Sequence, residues 1–308
     1  MGDPASISGL GLGPVAPVSG LAEGQAIWPH ALPIIVSERA DSVIPGTPTV
    51  SGARAALSAL EIATDLARAG EASAVVTAPV SKAQLYAIGF RHPGQTEWVA
   101  ERCGVAADAA VMMLAGPTLR TVPVTTHVPL ADVAGGLSTG LILAKARTTL
   151  AALTYDFGVE RPRVAVAGLN PHAGEGGALG REDEAVIAPA VDALRAEGHD
   201  VVGPLPADTM FHPRARAEYD AALCMYHDQA LIPLKALHFD EGVNVTLGLP
   251  IVRTAPDHGT AFGIAGTGRA EAGAMIAAIR LAGEMAARRL GQPLPVRPSE
   301  NEGRFGAG

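Results

Sequence analysis

Hydrophobic residues along the chain alternate between a helical and an extended pattern. Within residues 53–69 the apolar side chains fall at helical spacing, and Gly70 follows as a stop signal. The apolar run ASAVV (72–76) comes next and is typical of a short buried strand. The same order of helix and strand recurs further along, which predicts βαβ units and an α/β fold.

The later elements follow the same alternation. Helices are predicted over residues 141–153, 182–198 and 272–290, and strands over residues 163–169, 199–205 and 221–226. Residues 5–25 are rich in glycine and proline and show little periodicity, so the pattern assigns no element there. Residues 292–308 are predicted to form a loose tail.

Four polar clusters each follow an apolar strand. They are TAPVSK (77–82), TTHVPL (125–130), NPHAGEGG (170–177) and HDQALIPLK (227–235). In open α/β sheets the carboxyl ends of the strands form the ligand crevice. We therefore expect the four clusters to lie at one edge of the sheet.

Three of these clusters contain a histidine, namely His127, His172 and His227. Their separations match no local zinc-finger spacing, so only the fold could bring them together. Three imidazoles around one ion would leave positions open for water or substrate, as in catalytic metal sites. The alternative is three unrelated histidines that cap separate strand ends.

The histidine of GLNPHAGEGG (168–177) lies on an unusually bare backbone. Pro171 fixes one torsion angle, and Gly174, Gly176 and Gly177 remove side-chain bulk. A ligand could therefore approach the main chain closely. His172 is predicted to be presented to a ligand rather than packed.

Cationic and amide side chains near strand ends suggest an anionic ligand. Lys82, Lys235 and Arg253 occur in TAPVSK, LIPLK and PIVRT, and an arginine is suited to two-pronged contact with phosphate or carboxylate. Asn244 in GVNVTLG could hydrogen-bond the same ligand. The alternative is a set of solvated charges and a turn asparagine.

Two acidic residues are candidates for moving a proton or orienting a ligand histidine. Asp228 directly follows His227, and Asp208 lies in PLPADTMF. Residues 257–270, DHGTAFGIAGTGRA, form a glycine-rich turn before the last helix. No GxGxxG motif follows a strand, so a dinucleotide would bind in another way than in a Rossmann unit.

Composition narrows the class of protein. At 308 residues the chain is long enough for two domains of ordinary size. The formal charge is -8 and no lysine or arginine block stands out, which argues against a nucleic-acid partner. The two cysteines provide no disulfide framework, and we find neither a signal peptide nor an apolar run long enough for a membrane. We expect a soluble, cytoplasmic protein.

Several stretches occur in the order found in one known family. They are TAPVSK, FRHPGQTEW, TTHVPL, GLNPHAGEGG with LGREDE, GPLPADTMF, MYHDQALIPLK, GVNVTLGLPIVRTAPDHGTA and IAGTGRA. Together they resemble the 4-hydroxythreonine-4-phosphate dehydrogenases of pyridoxal phosphate biosynthesis and their phosphothreonate and erythronate dehydrogenase relatives. The resemblance extends from about residue 72 to residue 290.

The resemblance implies a fold with two α/β/α domains, related to isocitrate and isopropylmalate dehydrogenases. The first domain would comprise residues 1–96 plus 254–308, and the second residues 97–253. The active site would lie in the cleft between them and be completed by the second subunit of a homodimer. GDPAS (2–6) resembles either the GDPAGIGPE-like turn of the family's opening strand and helix, or a later GDP-type turn, in which case the opening unit is absent.

The resemblance also implies roles for individual residues. The metal ligands would be His127, His172 and His227, which would bind one zinc, magnesium, manganese or cobalt ion. The substrate would be bound by Gln95, Thr96, Lys235, Asn244 and Arg253, where Gln95 replaces the histidine that many relatives have. The NAD or NADP cofactor would contact His258, Gly259, Thr260 and Ala261.

The implied reaction is the NAD- or NADP-dependent oxidation of 4-phosphohydroxy-L-threonine to 2-amino-3-oxo-4-phosphooxybutanoate. This acid then loses carbon dioxide to give 3-amino-2-oxopropyl phosphate on the route to pyridoxine 5'-phosphate. Lys82 or Asp228 would move the hydroxyl proton. The alternatives are a dehydrogenase for phosphothreonate, erythronate or a cyclic diol, a three-histidine metal hydrolase, and a binding protein without turnover.

Overall fold

A computed structural model describes residues 1–11, 13–41, 43–106 and 108–294. Most of the predicted tail, residues 295–308, lies outside the described residues. The strands are β1 Val15–Val18, β2 Leu32–Ile35, β3 Ala74–Val76, β4 Val111–Gly116, β5 Leu119–Pro123, β6 Arg163–Ala167, β7 Asp200–Leu205, β8 Ala221–Cys224, β9 Val243–Leu247 and β10 Val252–Pro256.

The α-helices are α1 Pro4–Ser8, α2 Leu21–Ile27, α3 Val50–Arg68, α4 Lys82–Ala87, α5 Gln95–Arg102, α6 Leu130–Gly136, α7 Thr139–Tyr155, α8 Ala188–Ala196, α9 Pro213–Arg216, α10 His227–His238 and α11 Gly273–Arg289. A π-helical turn, Asp183–Ile187, precedes α8. Short 3₁₀ segments cover Pro171–Gly177, Ala207–Thr209 and Phe262–Ile264. The α/β fold expected from the alternating pattern is confirmed.

The central sheet has eight strands in the order β3-β10-β9-β4-β5-β8-β6-β7, and β1 pairs with β2 in a separate parallel sheet. Strands β5, β8, β6 and β7 are mutually parallel. Strands β4, β9 and β10 are joined by antiparallel pairing, and β3 runs parallel to β10. The sheet is therefore mixed rather than uniformly parallel.

This mixed pairing corrects one prediction about the polar clusters. His127, His172 and His227 follow the parallel strands β5, β6 and β8, so they leave the sheet at one edge, as expected. TAPVSK follows β3, which runs in the opposite direction to β5, so that cluster does not leave at the same edge. The apolar pattern of a buried strand carries no information about its direction, which is why the sequence did not distinguish the two cases.

Helices cover both faces of the sheet. On one face α7, α8 and α11 contribute Ile142, Val191 and Met285 to the largest core cluster. On the other face α10 packs through Ala230, Leu231 and Leu234. Helices α3, α4 and α5 form a further cluster around β3. The strands are therefore buried on both faces, as in a three-layer α/β/α arrangement.

Both predicted domains contribute to this one sheet. Strand β3 lies in the first predicted domain and β4 to β9 lie in the second. Strand β10 crosses the predicted boundary between residues 253 and 254. The division into residues 1–96 plus 254–308 and residues 97–253 stays a prediction.

One stretch without an assignment forms regular elements, and one local expectation was wrong. Residues 5–25, for which no element was assigned, contain part of α1 together with β1 and α2. The cluster HDQALIPLK is helical, so His227 and Lys235 lie on α10 rather than in a loop after a strand. Pro233 obscured this helix in the sequence, because a proline inside a helix removes one backbone donor and normally disfavours it.

Candidate active site

A cleft of about 390 Å³ lies over the face of the sheet that carries α10. Met112 of β4 and Arg253 of β10 flank Thr246 of β9 at the same level of the sheet. The first turns of α4 and α5 form one side of the cleft, and α10 forms the other. The cleft brings together the predicted site residues Lys82, Gln95, Thr96, His127, His227, Lys235, Asn244, Arg253, His258 and Gly259.

Arg253 is the most deeply buried charge in this cleft, at 4% exposure. It lies inside β10 rather than beyond a strand end, and its guanidinium donates to the hydroxyls of Thr77 (2.8 Å), Thr246 (3.1 Å) and Thr96 (3.3 Å). Burial lowers the pKa of Arg253 to about 10, and the Glu97 charge acts in the opposite direction.

The chain itself leaves this guanidinium incompletely satisfied. Within the part of the chain that the structure describes, Arg253 has no ion pair and its Nε has no hydrogen-bond partner. Burying an unpaired cation costs several kcal/mol, on the order of the desolvation penalty of one ion. The arrangement therefore favours a ligand that brings an anionic group to Arg253.

Two neighbouring side chains add to this polar surface. Asn244 lies inside β9, so the turn interpretation was wrong, and among the described residues its buried Oδ1 has no hydrogen-bond partner. Lys235 forms an ion pair with Asp257 over 3.0 Å and remains 38% exposed at its side chain. The cleft thus offers an acceptor oxygen beside two cations, which suits a ligand with both acidic and donor groups.

His127 and His227 lie side by side, with ring centroids 5.9 Å apart and planes tilted by 41°. The Nδ1 atom of His227 is hydrogen-bonded to Asp228 Oδ1 over 2.7 Å, which leaves Nε2 available. Burial lowers the pKa of His127, and the Lys82 charge adds to this effect while Glu97 opposes it. The lowered pKa favours the neutral form of His127, and the neutral imidazole is the form that binds metal ions.

His172 is not a member of this pair. It does not line the cleft, and its exposed ring is hydrogen-bonded through Nδ1 to Glu175 Oε2 over 2.8 Å. Among the described residues of the single chain, no three His, Cys, Asp or Glu side chains form a group that could hold a metal ion. Two of the three predicted ligands therefore meet within one chain.

The backbone around His172 has an uncommon conformation. His172, Ala173 and Glu175 have φ angles of 52°, 53° and 45°, and Gly174 and Gly176 continue this left-handed turn. Left-handed conformations of non-glycine residues cost about 1 kcal/mol or more each, so the surrounding structure must impose them. Such imposed strain is concentrated at functional sites.

A buried carboxylate, Asp183, holds this turn in place. It is 1% exposed and accepts hydrogen bonds from the backbone nitrogens of Leu169 (2.9 Å) and Asn170 (3.2 Å) and from the Asn170 side chain (2.9 Å). A Cβ atom at Gly168 would lie 2.7 Å from Asp183 Oδ1. This glycine makes room for the protein's own carboxylate, whereas the sequence suggested room for a ligand along the loop.

We expect Asp183→Ala to destabilise the fold by about 2 to 4 kcal/mol, because it leaves buried donors without an acceptor. Chemical denaturation of the variant and of the wild type measures this difference. Asp192→Ala, a change at an exposed carboxylate on α8, serves as the control and is expected to cost less than about 0.5 kcal/mol. An Asp183 variant as stable as this control would show that the turn does not depend on the carboxylate.

Of the remaining candidates, Asp208 and Asp228 lie outside the cleft lining, whereas Gln95 belongs to it. Asp208 is the exposed middle residue of the short 3₁₀ turn Ala207–Thr209. Asp228 is 68% exposed at its side chain and contacts His227, which is the geometry of an orienting group rather than of a group that faces substrate. Gln95 faces the cleft, and its Nε2 donates to the Ala78 carbonyl over 3.2 Å, which leaves Oε1 toward a ligand.

The predicted cofactor loop connects the cleft with a second groove. His258 and Gly259 line the cleft, and Thr260 lines an adjoining, mainly apolar groove of about 330 Å³. The two cavities share Pro79, Val80 and Leu85 as lining residues. Ala261 has a left-handed φ of 49° at the turn between them.

Glu97 is a cleft residue that the sequence did not single out. It lies in the first turn of α5, one position after Thr96, and lines the same cleft as Lys82 and His127. The only signal was its place in GQTEW, where a glycine directly precedes the helix and an acidic residue follows in its first turn. Asp257, which pairs with Lys235, was likewise missed.

Two further observations bear on the class of protein. Among the helices described here, none combines the length and apolarity needed to cross a membrane. Cys103 and Cys224 are both free thiols, as expected from their separation in the sequence.

The protein has a three-layer α/β fold, and its cleft contains a buried arginine without an ion pair beside two adjacent imidazoles. These features define a class of proteins that bind a small anionic molecule. The family described as "Pyridoxal phosphate biosynthetic protein PdxA" matches residues 15–282. The chain belongs to this family.

Relatives and solved structures agree with this membership. The chain is 59% identical over 276 residues to a 4-hydroxythreonine-4-phosphate dehydrogenase of Erythrobacter litoralis, covering 90% of this chain and 82% of the relative. The crystal structure of a 4-hydroxythreonine-4-phosphate dehydrogenase from Klebsiella pneumoniae is 36% identical, with a TM-score of 0.81 and coverage of 92% of this chain and 86% of that one.

A solved structure of a dehydrogenase named for a different substrate also resembles the chain. It is a terephthalate 1,2-cis-dihydrodiol dehydrogenase from Burkholderia xenovorans LB400, which is 30% identical with a TM-score of 0.61. The alignment covers 91% of this chain and 84% of that one. The α/β fold is therefore shared by dehydrogenases that act on different hydroxylated molecules.

Proposed function

We propose that the protein is a metal-dependent, NAD(P)-dependent dehydrogenase that oxidises the secondary hydroxyl of 4-phosphohydroxy-L-threonine. The product, 2-amino-3-oxo-4-phosphooxybutanoate, then loses carbon dioxide to give 3-amino-2-oxopropyl phosphate. The main observation behind this proposal is Arg253, a buried guanidinium near a pair of imidazoles. The incompletely satisfied guanidinium favours an anionic ligand, and two adjacent imidazoles are suited to binding a metal ion. The relatives of 59% and 36% identity are named 4-hydroxythreonine-4-phosphate dehydrogenases, which supports the same reaction.

The substrate would be held by the polar residues that the cleft brings together. Arg253 and Lys235 would bind its phosphate and carboxylate groups, because they are the cations on the cleft wall near the unpartnered Asn244 Oδ1. Thr96 and Gln95 would supply further hydrogen bonds from the first turn of α5. Arg253 Nε and Asn244 Oδ1, which have no partner among the described residues, could then each gain one.

The donor set fits a divalent ion of the zinc, magnesium, manganese or cobalt type. His127 and His227 would hold it, and His172 of the partner subunit would complete the set. His172 and His227 both have a carboxylate on Nδ1, the arrangement that usually orients metal-binding imidazoles. When bound, the ion would supply Lewis-acid stabilisation of the reacting oxygen.

A homodimer would explain why His172 is exposed on a rigid turn rather than directed into its own cleft. Large apolar side chains next to the histidine pair are also exposed: Val128 (47%), Leu130 (70%) and Ile232 (65%). Exposed apolar side chains close to a functional site are typical of an interface.

Free cysteines and the absence of a membrane-spanning helix among the described residues are compatible with the cytoplasm.

The cofactor would lie across the two connected cavities. His258 and Gly259 would be near its nicotinamide half, and Thr260 and Ala261 would be near its adenosine half, in the apolar groove. When bound, the cofactor would supply a hydride acceptor, and these residues would hold it beside the substrate and exclude water.

A second candidate is oxidation of a related diol, which the similarity to the cis-dihydrodiol dehydrogenase favours. Phosphothreonate and phosphoerythronate belong to the same chemical class. The buried Arg253 and the nearby Lys235 favour the phosphorylated substrates over an uncharged diol.

One assay tests the proposed function. The purified, metal-loaded protein is incubated with NAD or NADP and, separately, with 4-phosphohydroxy-L-threonine, phosphothreonate or a cyclic cis-diol. Growth of nicotinamide absorbance with the first substrate is the expected result. Absorbance growth with another substrate only would assign the second candidate, and turnover without nicotinamide reduction would contradict a dehydrogenase.

A further inference from the structure

Two helices begin next to each other at the cleft with side chains of opposite charge. Lys82 is the first residue of α4, and Glu97 lies in the first turn of α5. Both line the cleft that contains His127 and Arg253. In the part of the chain described by the structure, neither side chain has a direct ion pair or hydrogen bond.

Gly94, the residue before α5, separates these two side chains. Its φ and ψ of -169° and -175° are extended angles that any residue adopts, so its backbone does not require glycine. A Cβ atom at this position would lie 3.2 Å from Glu97 Oε2, 3.7 Å from Lys82 Cε and 3.9 Å from Lys82 Nζ. Gly94 therefore leaves no side chain between the carboxylate and the amino group, and a water that bridges them would lie beside its backbone.

The two charges also act on the residues where the substrate is proposed to bind. Burial is the first cause of the lowered pKa of His127, and Lys82 and Glu97 act on it in opposite directions. Glu97 is in addition the charge that opposes the lowered pKa of Arg253. Glu97 and Lys82 therefore line the same cleft as the two residues on which their charges act.

We propose that Lys82 and Glu97 form a relay, across the gap at Gly94, that stores one proton between the two steps of the reaction. Lys82 is the catalytic residue that exchanges the proton with substrate, and Glu97 is the positioning residue that holds it and takes up the stored proton. This inference rests on the proposed function. It assigns roles to a pair for which the sequence alone suggested only one member.

The proton balance of the reaction fits such a store. In the oxidation the substrate O–H bond breaks, Lys82 Nζ takes this proton while passing one to Glu97, and the hydride leaves the same carbon for NAD(P). In the decarboxylation the C–C bond breaks, carbon dioxide leaves, and the remaining electron pair forms an enolate. Lys82 then donates a proton to the enolate carbon and recovers one from Glu97. The one proton released by the hydroxyl thus balances the one proton that the product carbon takes up, and the active site exchanges no net proton with solvent.

Four variants test this relay in the metal-loaded protein. Glu97→Gln and Lys82→Met are each expected to lower kcat by about 100-fold, the usual contribution of positioned proton transfer, with little change in KM. Lys82→Arg is expected to be as inactive as Lys82→Met, because a guanidinium keeps the charge but does not release its proton. The double variant Glu97→Gln/Lys82→Met is expected to be no slower than the slower single variant, since the two groups act as one unit.

Gly94→Ala fills the gap directly and is expected to lower kcat by about 10-fold or more, while Glu97→Asp is expected to regain part of the activity lost in Glu97→Gln. Glu101→Gln, one turn further along α5, and Gly140→Ala, where a Cβ would meet nothing within 4 Å, are the matched controls. Calorimetric titration of substrate and thermal unfolding of every variant separate loss of catalysis from loss of binding or folding.

The outcomes distinguish this inference from the proposed function. The relay is supported if the wild type reduces NAD(P) and the fold-decrease in kcat of the double variant is smaller than the product of the two single decreases. The relay would be overturned if the decrease in kcat of the double variant equalled the product of the two single decreases, or if Lys82→Arg had wild-type kcat. Either result would leave the proposed dehydrogenase activity intact. A wild type that never reduces NAD(P) would overturn both.

Discussion

His227→Ala is expected to lower kcat by about 1,000-fold and to remove the bound metal. His227 lies 5.9 Å from His127 between ring centroids and is held by Asp228, so its loss leaves one imidazole where two converge. A metal ion contributes several kcal/mol of stabilisation to a developing oxyanion, and each 1.36 kcal/mol changes the rate tenfold. Steady-state kinetics and elemental analysis of the metal content measure the two effects.

His30→Ala is the matched control, because His30 is an exposed histidine near the end of α2 and outside the cleft. It should retain both metal and activity. Asp228→Asn tests the orienting role, and we expect a 10- to 100-fold loss of metal affinity, roughly the usual effect of such a partner. A His227→Ala variant with normal metal content and kcat would contradict the metal assignment.

Arg253→Met is expected to raise KM for the phosphorylated substrate by roughly 100-fold. The reason is that a buried, charge-assisted contact contributes about 3 kcal/mol, and 1.4 kcal/mol corresponds to a factor of ten. Arg253→Lys keeps a charge but loses the forked donors, so an intermediate increase is expected. KM for NAD(P) should stay close to that of the wild type in both variants.

Arg161→Met, at an exposed arginine outside the cleft, controls for the loss of one positive charge. Thermal unfolding shows whether the Arg253 variants are folded, because Thr77, Thr96 and Thr246 lose a shared donor in Arg253→Met. Equal increases in KM for substrate and cofactor, in a folded variant, would contradict a specific role for Arg253 in substrate binding.

The sequence predicted the elements better than their arrangement. Periodicity located α3, α7 and α11 to within about three residues, because each buries one long apolar stripe. It did not predict the antiparallel strands β4, β9 and β10, since a strand buried on both faces has the same apolar pattern in either direction. It also missed the helical nature of residues 227–238, where Pro233 interrupts the expected donors.

The candidate site was predictable where chemistry and motif agree. Arg253, Lys235 and Asn244 were selected as ligand-binding residues, and the structure places them together in one cleft. Their burial was not predictable, because the partners of Arg253 include Thr77 and Thr96, which are distant in sequence and come close only in the folded chain. The role of Asp183 was hidden for the same reason: its contacts with residues 169 and 170 exist only in the folded chain.

We expect each active site to combine His127 and His227 of one subunit with His172 of the partner subunit. A mixed dimer provides the test of this arrangement. His172→Ala chains and His227→Ala chains carrying different affinity tags are produced together, and the dimer that carries both tags is purified. Each variant alone is expected to be inactive.

In the mixed dimer, one site would retain His127, His227 and the partner's His172, while the other would lose two of its three ligands. We therefore expect about half of the wild-type activity and about half of its metal content, since a symmetric dimer has two equivalent sites. If all three histidines acted within one chain, neither site would be complete. A purified mixed dimer with no more activity or metal than its two parents would contradict the shared site.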